Sequence, residues 1–289
     1  MAADLSGHTP TEARRAMAAE VCGHYGVNPS EKEKRMKKVF ASDFDGTMYF
    51  YKADVKLPPE NVEWIRKYQE AGHLFGLCTG RQVGGLTPFI NGLVAPDFYI
   101  TSTGANIVDR DLKPIYKRGV DRTVADAIVR AVQPKGCRVT LDVEGDICVF
   151  AKMDYPGFYY VIDTVADALP GLIHPLGIHT ESPDEAAALS AWVNEHFGAS
   201  VNAFQNVQEV DVAPLGCTKG RGVLLLRDWM REHYGEITLY GIGDSINDLP
   251  LIEAADVSYT FPYAPEVVQK KATKVVPTIV DALIDSMAL

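Results

Sequence analysis

From residue 38 onward the chain alternates short apolar runs with stretches of helical periodicity. One such stretch spans 58–71, where Val62, Ile65 and Tyr68 form a single apolar stripe and Gly72 ends the pattern. Apolar runs of strand length lie between the helical patterns, at 39–42, 73–78, 99–101 and 237–242. Strands separated by helices predict an α/β fold with a doubly wound, parallel, Rossmann-like sheet.

The pattern changes between residues 109 and 208, where hairpin-like pairs of apolar runs are mixed with helices. Helical patterns occupy 124–132 and 184–197. Strand-length runs lie in this region and at its end, at 115–120, 138–143, 147–151, 201–205 and 209–213. We predict an inserted α+β cap domain at 109–208 and a parallel-sheet core that comprises 37–108 and 209–289.

The first 36 residues differ from the rest of the chain. Thr9-Pro10-Thr11-Glu12 is typical of a helix start, and the charged run at 31–35 is typical of a linker. We interpret 1–36 as an N-terminal extension or a short helix. Two hypotheses stay open: translation that begins at Met36 would make the preceding residues dispensable, or the segment is a docking or oligomerisation helix.

Acidic residues follow the first apolar run, in the segment Asp43-Phe44-Asp45-Gly46-Thr47. Alternate residues of a strand point the same way, and buried carboxylates are unfavourable unless they are paired or bind a metal ion. Asp43 can attack phosphorus to form an aspartyl-phosphate while Asp45 handles the proton. Alone, the segment is also compatible with a calcium-binding loop or a simple turn.

A second acidic segment, at 243–248, follows the apolar run at 237–242. Ligands of doubly wound sheets bind at the carboxyl ends of the strands. If the two strands are neighbours, four carboxylates converge on one crevice: Asp43, Asp45, Asp244 and Asp248. Hard oxygen ligands of this kind suit Mg²⁺, which we predict as the cofactor, although an acidic turn is the alternative for the second segment alone.

Groups that can hold a phosphoryl group follow the apolar run at 73–78. Thr79-Gly80-Arg81 offers a hydroxyl, backbone N–H groups and a guanidinium, and Lys219 opens a further predicted helix. A lysine there can neutralise charge that develops on a transferring phosphoryl group. Each motif alone is weak, because such segments are usually ordinary turns or helix starts. Their occurrence together and in this order predicts phosphoryl transfer.

Composition narrows the choice of partners. The 289 residues carry a net charge of −10, which disfavours binding to nucleic acid or anionic membranes. No apolar run approaches the roughly 18 residues that a membrane span needs. The five cysteines are scattered without a CxxC pair, so neither a zinc site nor a disulfide framework is indicated. We expect a cytoplasmic monomer or homodimer that binds a small phosphorylated metabolite and neither nucleic acid nor membrane.

These motifs, in this order, resemble those of the haloacid dehalogenase superfamily, and within it the Cof-type hydrolases with a large α+β cap. The resemblance covers about 37–286. It implies that Asp43 is the nucleophile and a magnesium ligand. It implies that Asp45 protonates the leaving alcohol, then activates water, and contacts the metal through its backbone carbonyl. Lys219 would bridge Asp43 and the phosphoryl oxygens.

The same resemblance implies roles for the remaining motif residues. Thr79 and the Gly80 amide would bind the phosphoryl group, with Arg81 beside them at the substrate, and Asn247 would help to hold the phosphate. Asp244 would be a direct metal ligand, and the neighbouring carboxylate, Asp248, would support the metal directly or through water.

The sequence departs from the family pattern at two positions. Thr103 stands where relatives commonly have Asn, and Tyr263 stands where they commonly have the Asn of Gly-Asn-Ala. Tyr263 is either a rim residue that shapes a different leaving group or a packed aromatic in the hinge. Three polar residues of the predicted cap, Asp142, His174 and His179, could face the crevice, but surface or core roles are favoured for each.

We therefore expect a Mg²⁺-dependent phosphatase that hydrolyses phosphate monoesters of small metabolites, above all sugar phosphates, through a phospho-aspartate at Asp43. A phosphomutase of the same superfamily and a non-catalytic sugar-phosphate-binding protein are the alternatives. The second alternative is disfavoured because Asp43, Asp45, Lys219 and Asp244 are all present.

Overall fold

The computed structural model describes residues 36–90, 92–155 and 157–289. The predicted N-terminal extension, apart from Met36, lies outside these residues. Fourteen strands follow one another in the described chain: β1 Lys37–Ser42, β2 Leu74–Cys78, β3 Phe98–Thr101, β4 Asn106–Asp109, β5 Pro114–Lys117, β6 Arg138–Val143, β7 Asp146–Val149, β8 Tyr160–Val161, β9 Ile173–His179, β10 Val201–Asn206, β11 Glu209–Pro214, β12 Ile237–Ile242, β13 Val257–Thr260 and β14 Lys274–Val275.

Eight α-helices lie between these strands or follow them in the described residues. They are α1 Pro59–Glu70, α2 Val83–Ile90, α3 Arg122–Val132, α4 Pro183–Phe197, α5 Lys219–Tyr234, α6 Leu249–Ala254, α7 Glu266–Lys271 and α8 Ile279–Ala288. None of the described helices is long and apolar enough to cross a membrane.

The first sheet has eight strands in the order β14-β13-β12-β1-β2-β3-β4-β5. The strands from β14 to β3 are parallel, and β4 and β5 add an antiparallel edge. Because β1 lies between β12 and β2, their carboxyl ends meet at the centre of one edge. The predicted doubly wound parallel sheet is confirmed.

Helices cover both faces of the first sheet because its central strands are apolar on both sides. On one face Phe40 of β1 stacks on Phe75, Tyr240 and Tyr259 of neighbouring strands, with ring centroids 6.0–6.4 Å apart where these rings meet. Helices α1 and α8 pack on that face. On the other face Val39 packs against α5 and α6. The central strand β1 is therefore buried on both faces, with Val39 and Phe40 both 0% exposed.

The second sheet has six strands in the order β10-β11-β9-β6-β7-β8 and is antiparallel except for the pairing of β7 with β8. Alternate residues divide between its two faces. Val210 and Val212 of β11 join the apolar core beneath α3 and α4, whereas Glu209 and Asp211 line a crevice on the opposite face. The alternation therefore gives this sheet one dry face and one polar face.

Pairing of the strands corrects both predicted boundaries of the insertion. Strand β5 pairs with β4 in the first sheet, so the region assigned to the insertion from 109 begins too early. The chain enters the second sheet only where Val120 bridges Ile173. Strand β11 pairs with β9 and β10, so the second sheet extends to Pro214 and does not end at 208. Apolar runs identify strands, but they do not specify which sheet a strand joins.

Candidate active site

The carboxyl ends of β1, β2 and β12 open into a crevice of about 1110 Å³ between the two sheets. The Asp43 N–H donates to the Ile242 carbonyl at 2.9 Å, and the Thr79 N–H donates to the Ile100 carbonyl at 2.9 Å. These backbone bonds extend the parallel ladder by one residue beyond each strand. They hold the first predicted site residues at the edge of the sheet.

Lys219 lies between two buried carboxylates. Its Nζ donates to Asp43 Oδ1 at 2.7 Å and to Asp248 Oδ1 at 2.5 Å. The three side chains are nearly inaccessible, with exposed fractions of 2% for Lys219, 4% for Asp43 and 0% for Asp248. Lys219 is the first residue of α5, and the Thr218 hydroxyl caps that helix by accepting from the Arg221 N–H. The cap therefore fixes the start of the helix that presents the lysine.

The charges of Lys219, Asp43 and Asp248 do not sum to zero. Burial, followed by the charge of Asp248, raises the pKa of Asp43 well above its ordinary value against the opposing charge of Lys219. Burial acts to lower the pKa of Lys219, but the charges of Asp248 and Asp43 raise it well above its ordinary value. One ammonium group between two carboxylates leaves one negative charge uncompensated, and Asp244 adds another. The site therefore favours a further cation.

Three side chains can supply ligand atoms for such a cation. Oxygens of Asp43, Asp244 and Asp248 lie within 4.8 Å of one another. Asp244 Oδ1 accepts from the Thr47 hydroxyl at 3.1 Å, and its Oδ2 would lie 2.5 Å from a Cβ added at Gly46. Burial, followed by the charge of Asp248, raises the pKa of Asp244 to about 6. A donor set of carboxylate oxygens with excess negative charge fits Mg²⁺.

Asp248 has a protein partner at each of its carboxylate oxygens. Its Oδ2 accepts from the Asp244 N–H at 3.1 Å, the Ser245 N–H at 3.0 Å and the Ser245 hydroxyl at 3.0 Å, while Oδ1 accepts from Lys219. Asp248 thus orients the turn that carries Asp244. Of the two predicted roles, support of the metal through water fits these bonds better than direct ligation.

Asp45 does not join the three carboxylates, because its side chain pairs with Arg81. Arg81 Nε lies 2.6 Å from Asp45 Oδ2, and Arg81 Nη2 lies 2.9 Å from Asp45 Oδ1. The guanidinium is held among the rings of Phe89, Tyr51 and Phe44, at 4.8, 5.4 and 5.6 Å from their centroids. Arg81 therefore contacts the predicted acid–base residue in this arrangement.

The remaining predicted phosphate-binding residues line the crevice. The Thr79 hydroxyl accepts from the Arg81 N–H at 3.2 Å, so the loop after β2 turns back on itself. Gly80 and Asn247 also line the crevice, and Asn247 Oδ1 accepts from the Ser245 hydroxyl at 2.5 Å. The structure thus brings the predicted residues of all four motifs to one crevice.

Both positions that depart from the family pattern lie at this edge. Thr103 has a backbone φ of 55°, in the left-handed region, and lines a small cavity beside Lys219. The Tyr263 ring stacks on Phe261 at 4.9 Å, and its hydroxyl donates to the Gly46 carbonyl at 2.7 Å. Tyr263 therefore supports the turn that follows Asp45 from outside the crevice.

The polar cap residues considered from sequence have different surroundings. Asp142 accepts from the Ser102 hydroxyl across the two sheets, and the buried His174 pairs through Nδ1 with the Arg118 carbonyl at 2.7 Å. His179 pairs with Glu209. Sequence reasoning did not single out Asp211, which lines the crevice from β11. The available signal was the alternation of acidic and apolar residues at 209–212.

The chain belongs to the family described as haloacid dehalogenase-like hydrolases, whose model matches residues 40–282. The predicted family resemblance and its enzyme class are thereby confirmed. The HMP-PP phosphatase of Citrobacter koseri is 25% identical over 232 residues, which cover 76% of this chain and 82% of that protein. The chain is therefore an enzyme of a hydrolase family, and its relatives include proteins named as phosphatases.

Solved structures agree with the fold. A haloacid dehalogenase-like hydrolase from Bacteroides thetaiotaomicron is similar with a TM-score of 0.73 at 19% identity, over 86% of this chain and 99% of that one. A sugar phosphatase of HAD subclass IIB is similar with a TM-score of 0.68 at 20% identity, over 87% of this chain and 97% of that one. At these identities the likeness concerns the fold.

Proposed function

We propose that the protein is a Mg²⁺-dependent phosphatase that hydrolyses phosphate monoesters through a phospho-aspartate at Asp43. The observation that carries the proposal is the placement of Asp43 at the centre of the sheet edge, bonded to Lys219 and grouped with Asp244. Lys219 occupies only Oδ1 of Asp43, and Oδ2 has no hydrogen bond to any residue that the structure describes. That oxygen is available as the nucleophile.

The first step forms a bond between an Asp43 oxygen and phosphorus as the bond from phosphorus to the leaving oxygen breaks. Asp45 donates a proton to that oxygen, and the alcohol departs. In the second step Asp45 accepts a proton from water, whose oxygen bonds to phosphorus while the bond to Asp43 breaks. Inorganic phosphate leaves, and both carboxyl groups return to their starting states.

Arg81 prepares Asp45 for this exchange. Its two hydrogen bonds fix the direction of the Asp45 carboxylate, and the aromatic rings around it limit the directions in which the guanidinium can move. One of these bonds has to lengthen before Asp45 can reach the leaving oxygen. Arg81 would then be free to contact the substrate, which is the role that we propose for it.

Asp43 and Asp244 would hold Mg²⁺ together with the backbone carbonyl of Asp45, and Asp248 would support it through water. When bound, Mg²⁺ supplies positive charge against the phosphoryl oxygens and screens the carboxylates. Lys219 contributes a second positive charge. The Thr79 hydroxyl, the Gly80 N–H and the Asn247 side chain would complete the phosphoryl site. All three residues line the crevice, which supports this assignment.

The substrates that we propose are small phosphorylated metabolites, with sugar phosphates first. The crevice has room for such a molecule, and one structural relative is named as a sugar phosphatase. The crevice is open to solvent, which favours hydrolysis over phosphomutase activity, because a mutase has to keep water from the phosphorylated aspartate. The cytoplasmic location and the monomeric or dimeric state stay predictions.

The test is a panel of phosphorylated metabolites assayed with Mg²⁺ for release of inorganic phosphate and, in parallel, for isomerised sugar phosphate. We expect phosphate release from several neutral sugar phosphates. Isomerisation without phosphate release would identify a mutase, and binding without either product would identify a sensor.

A further inference from the structure

The wall of the crevice formed by the second sheet carries acidic side chains. Asp142, Glu209 and Asp211 line the crevice from this wall. Among the described lining residues the basic ones all come from the opposite wall: Lys52, Arg81 and Lys219. A leaving group with a second negative charge would face like charge on the second-sheet wall.

Two of the three acids are already hydrogen-bonded within the protein. Asp142 accepts from the Ser102 hydroxyl. Glu209 Oε1 lies 2.5 Å from His179 Nδ1. The Asp211 carboxylate has neither a hydrogen bond nor an ion pair with any residue in the described part of the chain, although it lines the crevice. Its carboxylate is therefore the acceptor on this wall that a bound molecule can use.

Asp211 lies directly against the loop that binds the phosphoryl group. A Cβ added at Gly80 would lie 2.8 Å from Asp211 Oδ2 and 3.7 Å from Thr103 Oγ1. Because Gly80 has no side chain, the Asp211 carboxylate can lie against the loop. Atoms of a substrate that lie next to its phosphate group would pass within reach of Asp211.

The floor of the crevice beside Asp211 is open and polar. Asp211 of β11 is opposite Gly177 of β9, which in turn is opposite Thr140 of β6. All three residues line the crevice. Because Gly177 has no side chain, the Thr140 hydroxyl leans over it and donates to its carbonyl at 3.4 Å. Thr140 and Asp211 flank Gly177 on adjacent strands, so a hydroxylated molecule bound beside the Asp211 carboxylate would also border the Thr140 hydroxyl.

We propose that Asp211 selects leaving groups that carry hydroxyl or amino donors close to the ester oxygen and bear no further negative charge. This inference rests on the proposed phosphatase function and names its substrate class. Asp211 is a partly buried acceptor without a protein partner, so a ligand that displaces water from it has to supply donors of its own, and a ligand that lacks donors is disfavoured. Burial, followed by the charge of Glu209, raises the pKa of Asp211 to about 6, which is consistent with an acceptor kept short of partners.

The experiment compares three six-carbon phosphate monoesters: sorbitol phosphate, hexyl phosphate and phosphogluconate. The first two differ only in the hydroxyl groups, and the third adds a carboxylate. The wild-type enzyme should show its highest kcat/KM with sorbitol phosphate. In Asp211→Leu the ratio of kcat/KM for sorbitol phosphate over hexyl phosphate should fall by about 10- to 100-fold, the worth of a charged hydrogen bond. Asp211→Asn should raise the relative activity with phosphogluconate.

Asp163→Asn is the matched control, because Asp163 is an exposed carboxylate of the second-sheet region that does not line the crevice. It should leave the substrate ratio unchanged. Asp211→Leu should not lower the melting temperature, since no protein partner is lost, whereas a structural role would lower it and reduce all activities in parallel. An unchanged substrate ratio in Asp211→Leu would overturn the inference while leaving the phosphatase proposal intact. No phosphate release from any ester by the wild type would overturn both.

Discussion

The two walls of the crevice differ in whether their charged side chains are paired within the protein. On the first-sheet wall the charged side chains bond to one another: Lys219 joins Asp43 to Asp248, and Arg81 holds Asp45. On the second-sheet wall Asp211 has no such partner among the described residues. The first arrangement is organised for one reaction before any substrate arrives, because each charge is already oriented. The second leaves an acceptor for the substrate itself to satisfy.

The largest expected effect comes from removing the nucleophile of the first-sheet wall. Asp43→Asn should lower turnover by about 10⁴-fold or more, since the amide does not form the acyl-phosphate and the catalytic groups act as a unit. The substitution also removes one uncompensated buried charge, so the melting temperature should stay the same or rise. Steady-state kinetics and thermal unfolding measure the two effects. Turnover near that of the wild type would contradict the role of Asp43.

Removing the metal should have the next largest effect. Chelation with EDTA should abolish phosphate release, and added Mg²⁺ should restore it. Because a ligand that binds only the folded state stabilises it, saturating Mg²⁺ should raise the melting temperature of the wild type by about 5 °C.

The Mg²⁺-dependent shift in melting temperature is also measured for Asp244→Asn, which tests whether the ion binds at this site. This variant should lose most of the Mg²⁺-dependent shift, because a direct ligand is missing. An equal shift in the variant, or undiminished activity after thorough chelation, would show that Asp244 does not hold the ion.

Loss of the arginine that aligns Asp45 should have an intermediate effect. Arg81→Ala should lower kcat by about 10- to 100-fold, because Asp45 loses both bonds that orient its carboxylate. The matched control is Arg130→Ala, which removes an exposed pair with Asp126 on the second-sheet unit and should change kcat by less than about twofold. Equal losses in the two variants would count against a role for Arg81 at the site.

The smallest effect belongs to the residue that supports the nucleophile turn from outside. Tyr263→Phe removes one hydrogen bond, from its hydroxyl to the Gly46 carbonyl, and should lower kcat/KM a few-fold, in line with about 1 kcal/mol. Tyr234→Phe serves as the control, since Tyr234 is also exposed, its ring contacts Lys37, and its hydroxyl has no hydrogen bond to any described residue. No difference between the two variants would show that the Tyr263 bond does not position the turn.

The first-sheet wall could be predicted from sequence because its residues occur in short segments directly after apolar strands. Short apolar runs located β1, β2 and β12, and parallel strands bring their carboxyl ends together. In the structure Asp43, Thr79, Lys219 and Asp244 all line one crevice. The pairing of Asp45 with Arg81 was missed, since Asp45 was assigned to proton transfer and the metal and Arg81 to the substrate, and no sequence pattern reveals that the two side chains pair.

The second-sheet wall was harder to predict for a physical reason. Side chains alternate between the two faces of a strand, so the sequence shows that Asp211 and Val212 lie on opposite faces of β11. It does not show which of these faces borders the crevice. Strand partners also depend on contacts between distant segments, which the sequence pattern does not reveal. For this reason β11 was assigned to the core and β5 to the insertion, whereas β11 pairs in the second sheet and β5 in the first. Specificity residues on such a wall become visible only when both sheets are in place.

The most direct test of the account is to trap the phosphorylated enzyme. Wild-type protein would be mixed with p-nitrophenyl phosphate and Mg²⁺, quenched with acid during turnover and reduced with borohydride, which converts an aspartyl-phosphate to homoserine with release of phosphate. Mass spectrometry of the peptides should find homoserine at position 43 and at no other aspartate. Homoserine at position 45, or full turnover with no reducible acyl-phosphate at any time, would contradict the assignment of Asp43 as the nucleophile.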